Sequence, residues 1–325
     1  MVTITYRDAV VRALDEEMAR DERVIFFGED VGKAGGVFKV TPGLWEKYGN
    51  DRVRDTPISE QAIVGAGIGA AITGLRPVIE IMFVDFTAVT LDQIVNQAAK
   101  MRYMSGGQIR VPLTIRAAQG GGAGFGSQHS QCLEGWFMSA PGLKVAVPSN
   151  PADALGLLKS AIRDDNPVVF LEHKFQYAEK GEVPDGEHLV PFGVANVLRQ
   201  GTDVTLVAVQ KMVAVALKAA ALLEKEGISC EVIDPRTLVP LDMDTILNSV
   251  KKTGRLITVE EAVYTGGWGA EVVSRVTDEA IWYLESPIVR VTLKSGLIPF
   301  SGPLEDYVIP SDQDVIAAVK RVLRS

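Results

Sequence analysis

The 325-residue chain is 47% hydrophobic and 23% charged, enough apolar material for two ordinary cores, since single cores rarely grow past ~250 to 300 residues. Its 33 Lys and Arg against 41 Asp and Glu leave a formal charge of -8 with no basic cluster, which argues against a nucleic-acid partner. No clean apolar stretch of about 20 residues offers a bilayer span, and the charged N-terminus reads as neither an export signal nor a transit peptide. Cys132 and Cys230 stand too far apart to suggest a disulfide framework or a cysteine metal site. A reducing, cytoplasmic setting is expected.

In chain order, the period of the apolar residues predicts a helix over 6–20, with Val10, Ala13, Leu14 and Met18 on one stripe. A strand follows at 24–28, then a helix at 59–73 that contains Gly65, Gly67 and Gly69, then a strand at 78–83 and a helix at 88–103. Strands at 113–118, 144–147 and 168–172 and a helix at 152–163, opened by Asn150-Pro151, complete the first domain. Across 177–192 the period dissolves into Glu, Gly, Pro, Asp and His, and the linker is expected there. Beyond it the reading gives strands at 204–209, 230–233, 256–259 and 289–293, and helices at 213–226, 243–251, 268–283 and 313–323. Alternating strands and helices of this kind make an α/β protein with mostly parallel sheets, divided into domains at 1–185 and 190–325.

Three segments could carry chemistry. Gly65-Ala-Gly-Ile-Gly-Ala70 satisfies the glycine spacing of a dinucleotide loop, but no strand ends just before it, so tight helix packing is the expected reason for the glycines. Gln119-Gly-Gly-Gly-Ala-Gly-Phe-Gly-Ser-Gln-His129 is a strand-terminal glycine loop without a Walker lysine or a nucleophile elbow. His129, one of only 3 histidines, reads equally as a structural or a functional group there. Glu60 reads on spacing alone as a carboxylate at a helix start, favoured by the dipole. Asp85-Phe86 and the run from Ala161 to Asn166 hold oxygens that suit a cation, although capping and turn-making are commoner work for Asp and Asn.

Taken together, Asp55-Thr-Pro-Ile-Ser-Glu60, Tyr103-Met-Ser-Gly-Gly107, Gln128-His-Ser-Gln131, Pro141-Gly-Leu-Lys-Val145, Ser160-Ala-Ile-Arg-Asp-Asp-Asn-Pro167, Cys230-Glu-Val-Ile-Asp234 and Lys252-Thr-Gly-Arg255 lie in order over nearly the whole chain. The chain so resembles the β subunits of thiamine-diphosphate-dependent E1 components of 2-oxo acid dehydrogenase complexes, of pyruvate, acetoin or branched-chain type. The resemblance implies a pyrimidine-binding parallel-sheet domain followed by a smaller transketolase C-terminal-like domain. It implies that Glu60 meets N1′ of the cofactor's aminopyrimidine, where a carboxylate can exchange a proton with a ring nitrogen and an amide cannot do so equivalently. By the same carry-over Phe86 stacks on the pyrimidine, Ile58 and Met82 line its pocket, and His129 acts near the substrate.

The sequence has no Gly-Asp-Gly segment, the family's Mg²⁺ and diphosphate anchor. The resemblance accordingly implies an α subunit that holds most of the Mg²⁺ site, an α2β2 assembly with the cofactor between unlike chains, and a lipoyl-bearing E2 acyltransferase as acceptor. It further implies a potassium site at Leu113, Ala161, Asp164 and Asn166. Val89 and Gln210-Lys211 depart from the family pattern, while Met82-Phe-Val-Asp-Phe86 with Glu172-His-Lys174 leans toward acetoin-cleaving members. The rival readings are an NAD-dependent oxidoreductase using residues 65–70 and a non-catalytic assembly subunit.

Overall fold

The computed structural model describes residues 1–324. They divide between two units, Met1–Gln119 with Trp136–Phe192, and Gly120–Gly135 with Gly193 onward. In the first, β1 (Val2–Thr5) runs directly into α1 (Tyr6–Arg20). Thr5 caps that helix reciprocally: its hydroxyl takes the Asp8 N–H at 3.1 Å, and the Asp8 carboxylate takes the Thr5 N–H at 3.4 Å. Then come β2 (Val24–Gly28), α2 (Leu44–Tyr48), β3 (Val53–Asp55), α3 (Glu60–Ile72) and β4 (Arg76–Ile81).

The single helix expected over 88–103 is realised as three windings: a 3₁₀ turn at Val84–Thr90, a π turn at Asp92–Ala98 and α4 (Ala99–Met104). The threonine hydroxyls supply a reason. Thr87 donates to the Val84 carbonyl at 2.6 Å and Thr90 to the Thr87 carbonyl at 3.0 Å, competing with the regular ladder. After β5 (Thr114–Gln119), α5 (Glu134–Met138) precedes β6 (Lys144–Ala146), α6 (Pro151–Arg163), β7 (Val168–His173) and β8 (Lys180–Val183). Asn150 caps α6 through the Asp153 N–H at 2.9 Å, with Pro151 in the first turn.

Within this unit the strands lie in the order β6-β7-β5-β4-β2-β3, every neighbouring pair parallel. β1 and β8 form a separate antiparallel pair that periodicity did not reveal. The Lys-Gly-Glu-Val sequence of β8 buries only its last residue, so it lacks the alternation that marks a strand.

α1 packs against α6, burying Tyr6, Ala9, Val10, Leu14, Leu155 and Leu158. Each large side chain removed from water there contributes roughly 1.5 to 3 kcal/mol. The same helix pair encloses ion pairs, Glu17 with Arg163 at 2.6 Å and Lys159 with Glu16 at 2.7 Å. Beyond α1, Arg23 donates to both oxygens of Asp21 and holds its carboxyl down at about 2. A carboxyl depressed in the folded state stabilises above the unfolded value and loses that contribution as pH falls through the folded one. Asp21→Asn is therefore expected to lower the melting temperature at pH 7 only slightly, because an ion pair with an exposed arginine contributes little. The difference from wild type should shrink between about pH 4 and pH 2; a difference independent of pH in a thermal melt would contradict it.

The second unit contains β9 (Asn196–Arg199), β10 (Val204–Ala208), α7 (Lys211–Glu224), β11 (Cys230–Asp234), β12 (Thr237–Val239), α8 (Met243–Thr253) and β13 (Leu256–Val259). It ends with α9 (Trp268–Ala280), β14 (Val289–Val291), α10 (Gly302–Val308) and α11 (Asp312–Val322). Its sheet runs β14-β13-β10-β11-β9, parallel except for the edge pair β9 with β11. α7 and α11 pack on one another, with Met212, Ala216, Ala219, Val315 and Val319 in the core. Gln210, just before α7, takes a positive φ of 52°, a conformation that a glycine would adopt without cost. Among the described residues no helix is long and apolar enough to cross a membrane.

Candidate functional site

In the first unit the parallel strands deliver several side chains to one edge of the sheet, the carboxyl edge where α/β proteins bind ligands. β2 ends at Gly28 and is followed by Glu29, β3 ends at Asp55 shortly before Glu60, and β4 ends at Ile81 before Met82. Glu60 is the first residue of α3, and Ser59 at the cap makes no side-chain hydrogen bond. α3 packs against the 3₁₀ turn that carries Phe86. The Phe86 ring stands edge-to-face on Phe83, centroids 5.9 Å apart, and Phe83 meets Phe38 at 5.5 Å in the same manner. Such aromatic contacts fix ring orientation.

Glu60 lies close enough to Glu29 to affect its titration. Burial first, and then the neighbouring charges of Glu60 and Asp30, hold the Glu29 carboxyl above the usual range. Glu29 had no motif to reveal it; its signal is position, a carboxylate directly after the carboxyl end of a parallel strand. No hydrogen bond or ion pair to the Glu60 carboxylate is found among the described residues, so its oxygens can accept from a bound group.

Met82 sits beside Phe38, Glu80, Arg116, Glu172 and Tyr177. Arg116 is the centre of that cluster. It is 1% exposed and holds Glu172 through two bonds of 2.6 and 2.8 Å and Glu80 through one of 2.8 Å, while Tyr177 donates to Glu172 at 2.9 Å. The register explains it: Glu80 lies directly opposite Arg116 across β4 and β5, and Glu172 stands two residues beyond Phe170, the residue opposite Arg116 on β7, so its side chain lies diagonally within reach. Ile58, by contrast, is 83% exposed and Val89 60% exposed. A separate cleft of ≈ 460 Å³ between β3 and α3 is lined by Arg54, Asp55, Pro57 and Ala62; Glu60, Met82 and Phe86 are not among its walls.

The glycines of residues 65–70 lie inside α3, not at its start. A Cβ on Gly67 would come within 3.0 Å of Leu113 and 3.2 Å of Ile79, so this glycine lets the helix lie close on β4. At the expected potassium position, the carbonyls of Leu113 and Ala161 accept the N–H groups of Val168 and Asp164 at 2.9 and 3.2 Å. Arg76 donates to the Asp164 carbonyl at 3.0 Å, Lys144 pairs with the Asp164 carboxylate, and Arg102 donates to Asn166 Oδ1 at 2.6 Å. Positive charge is thus already supplied to three of these acceptors by the chain itself. Among the described residues no group of three or more His, Cys, Asp and Glu side chains could hold a metal ion.

His129 belongs to the second unit, half-buried in the glycine loop at 120–129. Its N–H reaches the Gly126 carbonyl at 3.4 Å, and Ser127 Oγ donates to the Ile298 carbonyl at 2.8 Å.

Residues 2–180 match the family described as "Transketolase, pyrimidine binding domain", and residues 193–315 that described as "Transketolase, C-terminal domain". The chain is 49% identical to the "Pyruvate dehydrogenase E1 component subunit beta, mitochondrial" of Pisum sativum, over 98% of this chain and 90% of that protein. The chain belongs to the E1 β-subunit family of the 2-oxo acid dehydrogenases. A second member, the "Acetoin:2,6-dichlorophenolindophenol oxidoreductase subunit beta" of Cupriavidus necator, is also 49% identical, over 97% of this chain and 96% of its own. Among solved structures, a chain of a "Split gene transketolase, inactive beta4 tetramer" matches with a TM-score of 0.82 at 26% identity, covering 99% of this chain and 98% of that one. Membership makes this E1 β-type chain an oxidoreductase subunit of transketolase-like α/β fold.

Proposed function

We propose that this chain supplies the proton-handling half of a thiamine diphosphate site. Glu60 meets N1′ of the aminopyrimidine, Phe86 faces its ring, and Met82 with Ile58 borders the pocket. The observation that carries the reading is the Glu60 carboxylate at the head of α3, on the carboxyl edge beside Glu29 and the Phe83–Phe86 pair, with acceptor capacity to spare. When bound, the cofactor supplies the nucleophilic carbon and the electron sink needed to break a bond next to a carbonyl. Glu60 holds or moves the proton at N1′, and a carboxylate positioned at a ring nitrogen can do this where an amide cannot. His129 orients the substrate and exchanges a proton with it.

The diphosphate and Mg²⁺ are left to an α subunit, since this sequence has no Gly-Asp-Gly segment, and the working form is an α2β2 heterotetramer that passes its acyl group to E2 lipoamide. The related split-gene transketolase is inactive as a tetramer of β chains, which supports the need for a partner. The substrate is a 2-oxo acid, pyruvate-like or branched-chain; acetoin is the second reading, favoured by the Cupriavidus relative.

Mixing the chain with the α subunit, thiamine diphosphate and Mg²⁺ should produce dye reduction with pyruvate, a branched-chain 2-oxo acid or acetoin, and neither chain alone should do so. Full activity of this chain alone would overturn the reading. So would tight NAD(H) binding with no response to thiamine diphosphate in a parallel titration.

A further inference from the structure

The glycine loop that carries His129 is held by carboxylates. Gly120, Gly122, Gly124 and Gly126 all have positive φ, at 87°, 92°, 71° and 72°. Left-handed residues alternating with ordinary ones turn successive N–H groups toward a common side and form a concave anion cradle. The occupant of that cradle is part of the same unit. Gly122 N–H donates to Glu305 Oε1 at 2.7 Å and Gly124 N–H to Glu305 Oε2 at 3.0 Å, while Gly121 N–H donates to Glu261 Oε1 at 2.5 Å.

Glu305, on α10, is 3% exposed, and no ion pair of its carboxylate is found among the described residues. A carboxylate buried without a cationic partner is costly unless its oxygens are met by hydrogen bonds, and here main-chain N–H groups meet both. A side chain serving packing alone would be apolar at this position. The loop is also seated sterically, since a Cβ on Gly121 would come within 2.9 Å of both Ile298 and Ile309.

We propose that Glu305 is a positioning residue for His129, fixing the loop at 120–129 so that the imidazole is presented in one orientation. This rests on the reading of His129 given above. The mechanism is preorganisation: a loop free to shift by about 1 Å costs a reaction as much as ~100-fold. Glu305→Gln is isosteric, yet it turns one acceptor into an amide N–H that faces a main-chain N–H.

The test uses the enzyme reconstituted with its α subunit and compares Glu305→Gln, His129→Ala and the double variant. For Glu305→Gln we expect a kcat fall of roughly 10- to 100-fold. The KM for thiamine diphosphate should stay within about twofold, because Glu60, Met82 and Phe86 belong to the other unit. Amide hydrogen exchange in the β chain should accelerate at 120–126 and stay protected across β10, β11 and β13. The double variant should be no slower than His129→Ala, as expected when one residue acts through the other.

Wild-type kcat and loop exchange in Glu305→Gln, losses that multiply in the double variant, or exchange rising throughout the unit would each overturn the proposal. Loss in His129→Ala with Glu305→Gln unaffected would remove the clamp alone. Wild-type turnover in His129→Ala would remove the reading of His129 and the positioning role with it. Should Glu305→Gln fail to fold, Gly124→Ala strains the same contact at positive φ and carries the same expectations.

Discussion

Glu60→Gln, assayed in the presence of the α subunit, is expected to lose about 10²- to 10⁴-fold in turnover, the range that a positioned acid or base contributes. The substitution keeps the length and shape of the side chain at the head of α3, so the helix and the packing of α3 on the Phe86 turn should survive. What it removes is a group able to take and return a proton. Glu29 should report the change independently. Its carboxyl is held up by burial and then by the charge of Glu60, so neutralising residue 60 should move Glu29 back toward the ordinary carboxylate range. The sign follows from removing a like charge from its neighbourhood. A Glu60→Gln enzyme with near wild-type kcat would remove this residue from the chemistry.

Arg116→Met should give the largest loss of stability. Arg116 is the cation between two buried carboxylates, Glu80 and Glu172, and removing one partner of a buried ion cluster typically costs about 3–5 kcal/mol. For a unit of this size that corresponds to roughly 10 °C in melting temperature. The pH dependence has a definite sign. Glu80 is already held up by burial and brought down in part by Arg116; without the guanidinium its folded value rises further. A carboxyl raised in the folded state destabilises once pH exceeds its unfolded value, so the variant should recover stability as pH falls toward about 5. Replacing all three residues by Leu, Met and Leu should cost less than Arg116→Met alone, because no charge is then left unpaired. A single Arg116→Met substitution that melts like wild type, or a triple variant that melts lower than the single, would show that the cluster is not held together in this way.

The elements that periodicity identified are those whose burial is one-sided. The helix at 6–20 is legible to its last residue because Val10, Ala13, Leu14 and Met18 form one stripe, and the strand at 24–28 because it is a short apolar run closed by a glycine. β8 was not legible, since its pairing with β1 depends on backbone hydrogen bonds and its sequence carries no alternation. The windings over 84–104 were not legible as such, because an apolar period does not reveal that threonine hydroxyls compete for the carbonyls of the first turns. The glycine loop at 120–135 lies inside the span read as the first domain, yet it packs with the second unit, because its N–H groups are claimed by Glu261 and Glu305 far along the chain.

The site divides in the same way. Glu60 was visible as a helix-start acid, and only the resemblance gave it a chemical role, because spacing cannot separate a capping carboxylate from a catalytic one. Glu29, Arg116 and Glu305 carried no motif at all. Each becomes evident from register or burial: Glu29 as a carboxylate closing a parallel strand, Arg116 from the alignment of β4, β5 and β7, and Glu305 as a buried acid met by the main-chain donors of Gly122 and Gly124.

The measurement that bears most directly on the account is the rate at which the C2 proton of thiamine diphosphate exchanges with deuterium in the assembled enzyme, followed by quenched-flow NMR for wild type and Glu60→Gln. The account predicts exchange slowed by about 10²-fold or more, with cofactor affinity within a few-fold of wild type. Exchange at the wild-type rate in Glu60→Gln, with the cofactor bound, would contradict it.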